Sequence, residues 1–387
     1  MKTTTQSLDL KNLVPACAGI TVFGLSFGMT FPLLSLILES RGIPESVIGI
    51  NAAMMPIGIL VFSPMIPAIS GRMGSRNMAI FAALITALIM LSYYVFDSLK
   101  AWFLLRLFQG MMISTLFVLS EVWIVRYAGD KHRGKVVAIY GSILSLSFGT
   151  GSALISWIGI EGWLPFAMGA TMLLAGVFPL FMINNERTEK LQEQSIFGII
   201  EFSQKAPLLI GCVLVFSLFD AATLSLLPVY GIRYGLDIST SALTLTAMIL
   251  GNTVFQFPIG YLADKFPHRL ILTGCAVMAT VMLMLLPFTM ATILMWPVLI
   301  LIGTFSYGIY TVSLAMLGSR FEGRELVNGA SAFASSWGVG ALVGAMSGGW
   351  VMIHFGPDGL PFHLALAYCL LAVSLCYRSF LLMRSCR

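Results

Sequence analysis

Three ionisable side chains, Arg106, Glu121 and Asp220, lie inside long runs of apolar residues. In hydrocarbon each would cost on the order of 2.5–3.5 kcal/mol, so each should face a cavity, a partner or a path for ions. Asp220 stands roughly midway along its run. Burial there disfavours the charged form of a carboxyl, which makes it the best candidate for an acid that loads and releases a proton. Arg106 could oppose that effect or bind an anionic group. Glu121 lies fifteen residues beyond Arg106. On one helix the two would be about 60° apart around the axis and about 22 Å apart along it, so they share a face but cannot pair. For all three the bland alternative is a polar contact between helices.

Weaker candidates for solute contacts are Gln109, the i and i+4 pair Asn252 and Gln256, and Tyr307 with Tyr310. Hydrogen bonding between helices explains most residues of this kind. Catalytic and metal chemistry find little support. The four histidines, His132, His268, His354 and His363, fall in or near connections, and the six cysteines show no paired spacing. The chain has no Gly-rich nucleotide loop, so neither a membrane enzyme nor an ATP-driven pump is expected, and no cofactor or metal is implied.

These residues need positioning by something other than a water-soluble fold. The chain is 58% apolar and 10% charged, whereas a soluble domain carries about a quarter charged residues. Apolar stretches recur at about 12–38, 45–70, 77–97, 100–127, 133–158 and 163–183, then at 207–232, 240–263, 269–289, 292–318, 325–352 and 361–383. Their length suits helices that satisfy their own backbone groups in lipid. The first is too long for the core of a cleaved leader and reads as a span. The expected fold is therefore all-α and integral to the membrane, with twelve spans. Residues 1–183 form one six-helix bundle, 184–206 a connecting segment and 207–387 a second bundle. Within the connection, Ile196, Phe197, Ile199, Ile200 and Phe202 fit a short helix on the membrane surface or a solvated linker equally well.

Charge sets the orientation. With the N-terminus inside, eighteen of the twenty-two Lys and Arg residues fall on the cytoplasmic side. Arg41, Lys100 and Arg233 face outward and Arg106 lies within a span. Basic residues collect on cytoplasmic connections, so both termini are expected on the cytoplasmic side of the membrane. The net charge of +5 is then an orientation signal and not a nucleic-acid surface.

The two halves repeat. Ser142, Ser147, Phe148, Gly149 and Gly151 match Ser331, Ser336, Trp337, Gly338 and Gly340 at one offset of 189, as Gly134 matches Gly323. Arg72 matches Lys265 at 193 and Pro32 matches Pro228 at 196. Parallel repeats of this kind build carriers whose binding site lies between the halves.

The stretch Gly260-Tyr-Leu-Ala-Asp264-Lys265-Phe-Pro-His268-Arg269 resembles the cytoplasmic signature of the major facilitator superfamily, although Pro267 stands where a second Gly is usual. The first-half counterpart keeps Arg72, Gly74 and Arg76 but has Gly71 in place of the acid. Arg106-Leu-Phe-Gln109-Gly110 is similar to the family's intramembrane Arg-x-x-Gln-Gly element. Gly260 to Phe266 and Ser120-Glu121 further resemble the YcaD-like bacterial carriers. This resemblance implies that spans one, four, seven and ten line a central cavity, the set that holds all three intramembrane charges. It also implies gating roles for Asp264, Lys265, Arg269, Arg72, Arg76 and Arg133, with Asp264 near Arg133 and the positive start of span five when the inner side is closed. Gly71 carries no charge and puts a matching first-half latch in doubt. The Gly-Pro pair of many family antiporters is absent from span five.

The expectation is a monomeric secondary transporter that exchanges protons and a small solute across the lipid bilayer, with export favoured. Uptake of a nutrient by symport, or a receptor that keeps the carrier fold without moving solute, are the alternatives.

Overall fold

A computed structural model describes residues 10–127, 129–184, 196–321 and 323–385, nearly all of them helical. The helices run α1 (Leu10–Ser40), α2 (Glu45–Phe62), α3 (Ile66–Met73), α4 (Ser75–Val95), α5 (Leu99–Tyr127), α6 (Gly129–Ile158) and α7 (Leu164–Leu180). They continue as α8 (Ile196–Lys205), α9 (Pro207–Arg233), α10 (Ile238–Lys265), α11 (His268–Thr289), α12 (Met295–Arg320), α13 (Gly323–Phe355) and α14 (Gly359–Ser385). Among the described residues, eleven helices are long and apolar enough to cross a membrane. The sixth stretch, α7, has 17 residues. At 1.5 Å per residue it is about 25 Å long, short of a typical hydrocarbon core of about 30 Å.

The surface carries the mark of a lipid solvent. Phe257, Phe288, Phe178 and Leu370 are exposed, while Ser26, Thr30, Asn51, Thr86 and Ser225 are buried. In water such an arrangement would forfeit the hydrophobic gain; in lipid the polar groups are the ones that seek the interior.

The second stretch does not run straight to residue 70. It breaks into a 3-10 turn at Ser63–Met65 before α3 resumes. Pro64 and Pro67 supply no backbone N–H, so the helical ladder loses two donors within four residues. Gly74, at φ 85°, then separates α3 from α4 in a conformation that a side chain would disfavour.

The described chain falls into two compact units. One comprises Met1–Ile37 with Met54–Gln192, the other Leu38–Ala53 with Glu193–Arg387. In the first unit, α2 and α5 approach through glycine: a Cβ on Gly58 would meet the Leu107 carbonyl oxygen at 2.2 Å, and one on Gly110 the Met55 oxygen at 2.2 Å. In the second unit, α10 and α12 do the same: Gly251 faces the Ile300 oxygen at 2.0 Å and Gly303 the Met248 oxygen at 1.8 Å. Gly58 and Gly251, like Gly110 and Gly303, are 193 positions apart. Small residues allow backbones to touch where no hydrophobic force drives helices together.

The short helix in the connection is real, but it lies on protein. Gly198 of α8 abuts Asn328, and Phe202 packs edge-on against Phe321 with ring centroids 4.9 Å apart. Lys205 forms an ion pair with Glu325 of α13. The charged residues Glu186, Arg187, Glu189, Lys190 and Glu193 lie outside the described residues.

Candidate functional site

Asp220 occupies the middle of α9, a helix that packs against α10, α12, α13 and α14. It is 6% exposed. The Tyr307 hydroxyl of α12 donates a hydrogen bond to its Oδ1 at 2.7 Å, and Trp337 of α13 stands within hydrogen-bonding reach of the same carboxyl. Both donors are neutral. The sequence singled out Asp220 and Tyr307 separately; the fold joins them. Aromatic rings surround the pair. Phe216 lies 5.3 Å from Tyr307 and 4.9 Å from Tyr310, the latter nearly parallel at 25°. Phe219 meets Tyr307 at 6.3 Å and Tyr368 at 5.7 Å. Phe216, Phe219, Trp337 and Tyr368 escaped the sequence reading because an aromatic residue in an apolar run looks like any other core residue. Their signal was position: Phe216 is one turn before Asp220, and Trp337 replaces Phe148 at the repeat offset.

Near this cluster, the Gln256 amide of α10 donates to the Thr311 hydroxyl of α12 at 3.3 Å, joining the two helices. Asn252, one turn away, is buried. A small cavity lined by Thr223, Leu227, Met248, Leu283, Leu299 and Leu364 lies beside α9, but its lining is almost entirely aliphatic and includes none of the candidate residues.

Arg106 and Gln109 belong to the other unit and are fully buried. The Arg106 guanidinium lies 4.7 Å from the centre of the Phe31 ring on α1, a cation–π contact that recovers part of the cost of desolvation. The Gln109 carbonyl accepts from the Tyr93 hydroxyl at 2.9 Å, and its amide donates to the Thr30 hydroxyl at 3.3 Å. Thr30 in turn donates to the Ser26 carbonyl at 2.6 Å. This chain of bonds ties α1, α4 and α5 together. Glu121, farther along α5, is exposed, and both it and Cys17 act electrostatically on Tyr140 of α6.

The expected gating residues are scattered. Arg72 is exposed, and Arg76 reaches the Ile183 carbonyl at 3.5 Å. The Lys265 ammonium sits 4.5 Å above the Tyr261 ring. Arg269 is half-buried at the start of α11, with Arg320 and Arg378 as charged neighbours. The side chains of Asp264 and Arg133 lie outside the described residues, and so does the contact expected between them.

One charged cluster was not anticipated. Arg233, at the last turn of α9, donates from Nε to Glu39 at 3.0 Å and from Nη2 to Glu45 at 2.8 Å. The glutamate side chains are 8% and 13% exposed, that of Arg233 41%. Beside them a Cβ on Gly349 would meet the Glu45 oxygen at 2.3 Å, and one on Gly49 the Ala345 oxygen at 2.2 Å. The start of α2 is thus clamped to α9 and α13 by two ion pairs and two backbone contacts. Arg233 entered the sequence reading only as one of three outward charges. Its signal was that acids of opposite sign flank the first connection.

The sequence profile of the Major Facilitator Superfamily matches residues 16–320 and 234–384. The chain belongs to that superfamily. It is a multi-pass membrane transporter and not an enzyme. It is 26% identical over 364 residues to the uncharacterised MFS-type transporter YfkF of Bacillus subtilis strain 168, covering 90% of each chain. To the YcaD transporter of Salmonella arizonae it is 24% identical over 330 residues, covering 84% of this chain and 85% of the relative. Among solved structures it is similar to the nucleoside transporter NupG, with a TM-score of 0.76 at 13% identity over 96% of this chain and 98% of that one. The D-xylose–proton symporter gives a TM-score of 0.74 at 16% identity over 96% and 97%. At these identities the solved structures share the fold, and the superfamily assignment agrees with the resemblance seen in the sequence.

Proposed function

We propose that this protein is a proton-coupled secondary transporter that moves a small solute across a bacterial inner membrane by alternating access, with export favoured and both termini cytoplasmic. In this reading twelve spans form two six-helix bundles, residues 1–183 and 207–387, joined by residues 184–206. α7 serves as the sixth span with its shortfall met by local thinning of the bilayer.

The observation that carries the proposal is the buried carboxyl of Asp220, bonded at 2.7 Å to Tyr307 across the α9–α12 interface. A carboxyl in that position has two states that differ by one charge. The Tyr307 hydroxyl and Trp337 stabilise the ionised form, whereas burial favours the neutral form. Proton loading therefore changes the hydrogen bonding between α9, α12 and α13, the helices a rocking motion must rearrange. Glu121 is the second proton-exchanging candidate, as the other acid within a span, beside Tyr140 of α6. Arg106, Gln109, Asn252 and Gln256 are placed to position α5 and α10 and to contact solute in a conformation that opens them. On this orientation Arg233, Glu39 and Glu45 lie at the outer end, and Lys265, Arg269, Arg72 and Arg76 lie at the inner side.

The test uses purified protein in proteoliposomes with an imposed pH gradient and a panel of small solutes. Asp220→Asn should abolish accumulation against a gradient while leaving the thermal melt unchanged. Undiminished uphill transport by that variant would remove Asp220 from the mechanism. Inverted and right-side-out vesicles compared side by side give the direction.

A further inference from the structure

We propose that Asp220 and the rings around it form a binding subsite for an organic cation bearing a flat apolar group, and that such cations are the solute class this carrier moves; the proposal rests on the transporter reading above. The first ground is the balance of charge. An ionised carboxylate offers about four acceptor sites. Tyr307 and Trp337 fill some of them with neutral donors. Among the described residues no Lys or Arg forms an ion pair with Asp220. The negative charge is therefore solvated but not neutralised. An anion would be repelled there, and an uncharged solute would gain little over water. A cation gains from the whole uncompensated charge, in surroundings where charge interactions are strong.

The second ground is the shape and accessibility of the rings. Phe216 lies under both Tyr307 and Tyr310 at 5.3 and 4.9 Å. Phe216 and Phe219 are buried, whereas Tyr307, Tyr310 and Trp337 are half-buried. The accessible members of the cluster are thus the ones with an electron-rich face and a polar edge. Such faces attract cations within about 6 Å of the ring centre, and quaternary ammonium groups in particular. This chain already uses the same contact internally, with Arg106 over Phe31 at 4.7 Å and Lys265 over Tyr261 at 4.5 Å.

The third ground is what the neighbourhood lacks. The other polar groups beside the cluster are uncharged: Gln256 and Thr311 are bonded to each other at 3.3 Å, Thr223 donates to the Phe219 carbonyl at 2.8 Å, and Ser306 pairs with the buried Tyr368. Recognition of a sugar or nucleoside would call for several directional donors and acceptors around the solute. Here one anionic group and a wall of rings carry the recognition, which suits a charged head on an apolar body.

The experiment measures equilibrium binding to the full chain in nanodiscs by titration calorimetry. The probes are benzyltrimethylammonium, which cannot lose its charge, and its uncharged carbon isostere neopentylbenzene. The cation should bind at least tenfold more tightly than the isostere. Asp220→Asn should weaken cation binding at least tenfold and leave the isostere unchanged, and Tyr310→Leu should weaken the cation severalfold. Equal binding of the two probes by the wild-type protein overturns the proposal without recourse to any variant. So does an Asp220→Asn protein that melts normally and keeps full affinity for the cation. Binding is read without a gradient, so the two readings fail separately. Proton-driven transport of another solute with no cation site sinks the solute class alone. Cation binding with no gradient-driven movement of benzyltrimethylammonium sinks the solute class, and no gradient-driven movement of any solute in the panel sinks the carrier reading.

Discussion

Replacing Arg233 by Gln should weaken the clamp on the start of α2 by about 2 kcal/mol, a figure set by the burial of its partners. An exposed ion pair contributes about 0.2–1 kcal/mol, whereas stranding a fully buried charge costs about 3–5 kcal/mol. Arg233 is 41% exposed and its partners only 8% and 13%, so the pairs lie between those limits. The Glu39 Oε2 atom is already buried without a hydrogen-bond partner, so that carboxylate has little to fall back on. About 2 kcal/mol corresponds to roughly a thirtyfold change in an equilibrium constant. If the clamp holds one of two conformations, the unclamped population rises by that factor. The assay introduces Ala52→Cys, at a position with no exposed surface, into a variant with its native cysteines replaced, and labels it with a membrane-impermeant maleimide. Labelling should be slow with Arg233 present and at least tenfold faster with Arg233→Gln. Adding Glu39→Gln and Glu45→Gln to that variant should recover part of the lost thermal stability, because it removes the stranded like charges. The reasoning fails if Arg233→Gln leaves both labelling and melting temperature unchanged. It also fails if the triple variant melts lower than the single one.

Gly303→Ala should destabilise the protein by about 1–3 kcal/mol through overpacking, since its Cβ would lie 1.8 Å from the Met248 oxygen. Gly318→Ala on the same helix, with open space around it, should be neutral; fluorescence-detected size exclusion after heating separates the two. Asp237, ahead of α10, accepts from the Thr240 N–H at 3.1 Å, and hydrogen bonds from Thr240 hold its carboxyl below the usual range. Its cap therefore stabilises fully above the ordinary carboxylate pKa and is lost as pH falls through the depressed one. Asp237→Ala should cost about 0.5–1 kcal/mol at neutral pH and progressively less in acid, as read by melts across that range. Phe202→Ala should free α8 from α13, because Phe202 is buried against Gly329 of α13 as well as Phe321. Trypsin should then cut after Lys205 several times faster than in the wild type.

Span positions were legible because hydropathy over some twenty residues is a one-dimensional property. The break at Ser63–Met65 was written in the sequence too, as Pro64 and Pro67, but its result depends on whether neighbours satisfy the freed carbonyls. The docking of α8 was not legible: Phe202 meets Phe321 over more than a hundred intervening residues, and apolar residues next to a bilayer read equally well as lipid-facing. The site divided along the same line. Asp220 stood out because one charge in an apolar run is costly wherever the run goes. Its partners Trp337 and Phe216 carry no such cost and could be found only once the helices were placed. Arg233 was hidden for the opposite reason, since a charge at a span's end is cheap and needs no explanation until two buried glutamates are found against it.

The glycine contacts also separate what the two halves kept from what they changed. Gly58 with Gly110 and Gly251 with Gly303 seat equivalent helix pairs at the same offset of 193. With that register, Arg106 falls on Leu299, Gln109 on Ile302 and Glu121 on Leu314. Leu299 and Ile302 line the aliphatic cavity beside α9, so a buried polar network in one unit corresponds to an apolar void in the other. Asp220, taken at the offset of the matching prolines, falls on Gly24, whose Cβ would lie 2.6 Å from Ser147. No carboxyl fits there without displacing α6. Packing between these helix pairs persists in both halves, while each of the three intramembrane charges exists once. On the proposed proton-coupled mechanism, a duplicated backbone with unduplicated intramembrane charges lets the two halves do different work. Filling the void with Leu299→Phe should therefore stabilise the second unit or leave it neutral, whereas Arg106→Leu, its repeat counterpart, should remove the contact over the Phe31 ring, leave a gap in a buried site and lower the melting temperature. Equal effects of the two substitutions would mean that the register places no functional difference there.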